Sequence, residues 1–194
     1  MLSRKSTSSL LVGTFVVISM LSGYTAVAGR ASISNAPVVT LPDFNVVAGA
    51  SSRIVRNDNG ATVSVSTTVN PGTYTMWWLV WNDPENQCTH GDEVLRCNPE
   101  AGDVPECVLF AAGHVVGNNG TLNYTGHRGL FDNSGAIGPP CPNGLTNPQG
   151  AAIHAIIRSH GPILPGQVNL QISTVGGGCD VNQCEDVQAT AHEL

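Results

Sequence analysis

Nine consecutive residues, Ala61 to Val69, alternate without a break. Ala61, Val63, Val65, Thr67 and Val69 point to one side, and Thr62, Ser64, Ser66 and Thr68 to the other. Period two in β-branched residues describes a strand with one buried and one wet face. Asn70-Pro71-Gly72 then turns the chain, and Thr73 to Trp81 follows, apolar on both faces after Thr75. Such a strand is buried on both sides, and the two segments are expected to form a hairpin. Further strands are expected over Cys107 to Val116, Ala151 to Ser159, Val168 to Ser173 and Val187 to His192. In the third of these segments Val168, Leu170 and Ile172 alternate with Asn169, Gln171 and Ser173. No stretch carries an amphipathic helical stripe with a cap at each end. The 22 glycines and 12 prolines break helix interiors and punctuate the strands. The pattern predicts an all-β fold: a mainly antiparallel β-sandwich of jelly-roll or Greek-key type.

The first residues read as an address. Arg4 and Lys5 precede the apolar run Leu10 to Leu21, and Ala26-Val27-Ala28 fits a signal-peptidase site. A run this short does not span a bilayer about 30 Å thick. Residues 1–28 are therefore expected to be a signal peptide, and 29–194 a single β domain, secreted or periplasmic. Beyond the leader the chain has six arginines, no lysine and all 14 acids. That balance excludes an electrostatic nucleic-acid binder, and no stable membrane insertion of the mature chain is expected.

Six cysteines in an exported chain read as three disulfides. Spacing alone leaves their connectivity open and favours Cys88 with Cys97, Cys107 with Cys141, and Cys179 with Cys184. Zinc is disfavoured, since Cys179-x4-Cys184 only touches the edge of the usual thiolate spacing.

Candidate chemistry rests on the histidines. His154, Ile156, Arg158 and His160 share one face of a strand, opposite an Ala/Ile face that should enter the core. Six extended residues span about 20 Å, so His154 and His160 share one ion only if the strand bends or ends before Gly161-Pro162. Otherwise each needs partners from other strands, with His114 and His192 as candidates. The metal set considered is His114, His154 and His160, with a divalent ion as the possible cofactor, and His154 ranks first. No H-x-H pair, H-E-x-x-H helix or blue-copper ligand set is present in the sequence. There is no G-x-S-x-G, and Ser159 and His160 are strand neighbours on opposite faces. Trp77, Trp78 and Trp81 are read as core rather than as a sugar platform. The loop Asn82 to Glu106 holds seven of the 14 acids, and the loop Phe131 to Gln149 is rich in Gly, Pro and Asn.

Pro71 to Glu85, Ala111 to Gly117, Ile153 to Pro162 and Gly178 to Gln188 together resemble an uncharacterised family of exported bacterial proteins. That resemblance implies export and carries no activity. Ile153-His154 and His160-Gly161-Pro162 are also faintly similar to the CHRD (chordin-type) domain, whose bacterial members have an Ile-His, His-Gly-Pro segment in a β fold. Here the two parts lie a strand's length apart, and no site residue is carried over. With every catalytic motif missing, the expected function is an exported, non-catalytic binding or structural protein of unknown ligand. The alternative is a metal-binding protein or metalloenzyme whose histidine ligands come from several strands.

Overall fold

The computed structural model describes residues 30–91, 95–138 and 141–193, so the leader assigned to residues 1–28 lies outside it. The strands are β1 (Ser32–Ala36), β2 (Val39–Thr40), β3 (Ser51–Asn57), β4 (Gly60–Thr68), β5 (Gly72–Trp81), β6 (Cys107–Val116), β7 (Thr121–Gly129), β8 (Ala136–Ile137), β9 (Ala152–Ser159) and β10 (Glu185–His192). Two single helical turns, α1 (Pro84–Gln87) and α2 (Val168–Gln171), complete the described elements. A four-stranded sheet, β1-β3-β4-β7, faces a six-stranded sheet, β2-β10-β9-β5-β6-β8. All the strand pairings within them are antiparallel. The protein is an all-β sandwich.

The expected hairpin of Ala61–Val69 with Thr73–Trp81 is corrected. β4 pairs with β3 and β7, while β5 pairs with β6 and β9. Asn70-Pro71 therefore carries the chain from one sheet to the other. β7 then returns to the first sheet and lies beside β4. The true hairpin is β3–β4, closed at the pair Asn57 and Gly60. Alternation reports which face of a strand is buried, and in a sandwich both sheets bury a face against the same core. Ile54, Val63, Val65, Leu122 and Tyr124 supply one side of that core. Met76, Trp78, Val80, Leu109, Ile153, Ala155 and Ile157 supply the other.

The strand expected over Val168–Ser173 is also corrected, because Val168–Gln171 is the helical turn α2. Gln171 is fully buried. Its amide donates to the carbonyl of Pro162 at 2.9 Å and accepts the Leu164 N–H at 2.9 Å. Those bonds wrap the segment over the sheet instead of extending it. Gly113 lets it lie close, since a Cβ there would stand 1.7 Å from the Ile172 carbonyl oxygen.

Three disulfides join Cys88 to Cys97, Cys107 to Cys141 and Cys179 to Cys184. They fit an oxidising, extracytoplasmic environment. Among the described residues no helix is long and apolar enough to cross a membrane.

Candidate functional site

Because Met76, Trp78 and Val80 turn into the core, Trp77, Leu79 and Trp81 must emerge on the outer face of β5. The same parity on β9 brings His154, Ile156 and Arg158 outward, beside Ala189 and Ala191 of β10. An outer sheet face is usually polar, and this one is apolar along its middle. It forms the floor of a groove of about 510 Å³, lined by Trp77, Leu79, Val108, Ile156, Val39 and Ala189. Leu41 and Phe44 lie on its rim, as do Leu95, Asn98, Pro99 and Glu100. The volume falls within the few hundred to about 1,000 Å³ of small-molecule sites.

One end is closed by His154. Its Nε2 lies 2.7 Å from Glu193 Oε1, and its ring lies 4.8 Å from the Trp81 ring. Glu193 also accepts the backbone N–H groups of Arg96 at 2.5 Å and Cys97 at 2.9 Å. Burial pushes the Glu193 pKa up, but the bond from His154 and the two N–H donors outweigh it and hold the carboxyl below its usual range. Trp81, Ala152 and Cys97 form a small second core over this end. The loop above is organised by Asp103, which accepts the N–H groups of Thr89, His90 and Asn98. Burial alone would raise its pKa, yet these donors and the His90 imidazole bring it to about 2. This loop acid is therefore structural.

Four residues along β9, about 13 Å away, Arg158 marks the other end. It donates to Asp186 Oδ1 at 2.8 Å and to the Val175 carbonyl at 3.0 Å. Beneath the same end His160 is fully buried. Its Nδ1 lies 2.9 Å from the Gly177 carbonyl, which can only accept, so Nδ1 carries the proton. Nε2 then accepts the Thr75 hydroxyl at 2.8 Å, and Thr75 Oγ1 accepts Trp77 Nε1–H at 2.7 Å. Burial lowers the His160 pKa, consistent with this neutral ring. A hydrogen-bond chain thus runs from the groove floor to the segment after β9.

The structure does not bring His114, His154 and His160 together. His114 is exposed on β6 and meets the Tyr124 ring edge-on at 6.1 Å. His192 faces the core side of β10, where Nε2 lies 2.7 Å from Ser52 Oγ. Burial, followed by the Arg56 and His154 charges, drives its pKa down to about 4. His90 and His127 pair with Asp103 and Thr62. Among the described residues the one group of three metal-capable side chains is His160, Cys179 and Cys184, and its two sulfurs are bonded to each other.

Reading one strand at a time missed Glu193, Thr75 and the groove itself. The available signal was the apolar outer parity of Trp77, Leu79 and Trp81. Trp78 and Trp81 are wholly buried as core, whereas Trp77 floors the groove against Phe110, 5.4 Å away. No family model, curated protein or solved structure matches the chain.

Proposed function

We propose that the chain is an exported, non-catalytic binding protein that holds a small, largely apolar molecule in the groove of the six-stranded sheet. One observation carries this reading: an apolar cavity of about 510 Å³ on the outer face of a sheet, where solvent-facing residues belong. The ionisable groups at its ends are held in fixed positions. His154 is engaged by Glu193, and Arg158 by Asp186 and a backbone carbonyl. Rigid strands floor the groove, while loops form its rim, the usual division between scaffold and recognition. The leader pattern and the three disulfides support a secreted or periplasmic location.

The test is a titration with an uncharged phenylnaphthylamine probe, followed by displacement with aliphatic alcohols of increasing length. Ala189→Trp fills the groove from β10 without touching the inter-sheet core. Saturable binding in the wild type, weakened at least about tenfold in Ala189→Trp, is expected. Equal affinity in the two proteins, both folded by circular dichroism, would dismiss the groove as the site.

A further inference from the structure

We propose that His160, Cys179 and Cys184 form a copper(I) site that opens when the Cys179–Cys184 disulfide is reduced. Cys179 Sγ lies 3.9 Å and Cys184 Sγ 3.6 Å from His160 Nδ1. A trigonal ion with metal–sulfur and metal–nitrogen bonds of about 2.3 and 2.0 Å places sulfur and nitrogen about 3.7 Å apart. Both sulfurs already stand at that separation from the nitrogen. Within this triangle of ligand atoms only the sulfur–sulfur separation must change, from a bond to about 4 Å. Two thiolates and one imidazole, with no fourth donor in the group, suit a soft three-coordinate cation better than zinc, which prefers four.

This disulfide is the one placed to open. Cys179 and Cys184 are both partly exposed, whereas Cys107 and Cys141 are buried and the partly exposed Cys88 is bonded to the buried Cys97. It also closes the shortest loop, five residues in sequence against 9 and 34, so the fold loses least when it breaks. Reduction by a phosphine consumes one water and yields two thiols and one phosphine oxide. Copper(I) binding then releases both thiol protons. The imidazole proton moves from Nδ1 to Nε2, and the Thr75 hydroxyl rotates its own proton off Nε2 so that its two lone pairs accept the Nε2–H and the Trp77 N–H. The Gly177 carbonyl, freed from Nδ1, turns away by a peptide rotation that Gly176, Gly177 and Gly178 permit.

The test uses the full mature protein, treated anaerobically with a limiting water-soluble phosphine and then titrated with copper(I) against a competing chelator. Alkylation mapping should find new thiols at Cys179 and Cys184 first. Reduced wild type should bind one equivalent with two sulfur and one nitrogen scatterers in X-ray absorption, and the oxidised protein none at that site. Cys179→Ser/Cys184→Ser, which should keep the circular dichroism of the wild type, should lose the site. His160→Asn should weaken it at least about tenfold and remove the nitrogen scatterer. Earlier opening of another disulfide would overturn the proposal. So would equal copper affinity in reduced wild type and the double serine variant, or copper ligated without nitrogen. These readouts are independent of the groove titration.

Discussion

His154 Nε2 and Glu193 Oε1, 39 residues apart in sequence, meet at 2.7 Å beneath the disulfide loop that closes one end of the groove. The contact ties β9 to the residue just after β10, and through Glu193 to the backbone of Arg96 and Cys97. A carboxylate satisfied in this way fixes the loop above the sheet.

Glu193→Ala should therefore cost about 1–3 kcal/mol, because it strands an imidazole and two backbone donors together. Urea denaturation measures the loss. Hydrogen exchange should show it concentrated at Arg96 and Cys97, with β5 and β9 protected as before. A uniform loss of protection would contradict the local role.

Trp77 and Trp78 are adjacent and should respond differently. Trp78 lies in the core between the sheets with no exposure, and Trp78→Ala should cost about 3–5 kcal/mol. Trp77→Ala should also destabilise. It should in addition abolish probe binding in the groove, measured under conditions where the variant remains folded.

Acid should weaken the fold through His192. Its pKa falls from 6.5 to about 4 on folding, so between those values the unfolded chain binds the extra proton. Stability should thus be intact above pH 6.5 and be lost as pH drops towards about 4, by about 3 kcal/mol at most. The difference between wild type and His192→Gln, followed by urea midpoints across that window, isolates this contribution from the carboxylates. A flat difference curve would refute it.

The disulfides should rank by loop length. Loop-closure entropy assigns about 4 kcal/mol to Cys107–Cys141, 34 residues apart, and about 2 kcal/mol to Cys179–Cys184, five apart. Paired Cys→Ser variants compared by thermal denaturation should follow that order.

The sequence by itself marked β4, β5, β6, β9 and β10 as extended and gave the buried faces of β4 and β9, but it did not mark β1, β2, β3, β7 or β8. Alternation is a local property with period two, so Val63 and Val65 read as core-facing, and Ile153, Ala155 and Ile157 likewise. It failed at Val168–Gln171, where a short alternating run was outweighed by the buried Gln171 amide bonding back to Leu164 and Pro162. Strand neighbours were beyond it, because Asn70-Pro71-Gly72 serves a hairpin or a crossing between sheets equally well. Only the tertiary structure decided that β5 and β9 lie side by side. That pairing sets Leu79 beside His154 and Trp77 beside Ile156 on one floor. The groove and both of its ends are assembled from β2, β5, β6, β9, β10 and their loops, so no single segment carries the signal. Each strand declares its faces, but long-range hydrogen bonding alone chooses its partners, and the site belongs to the partners.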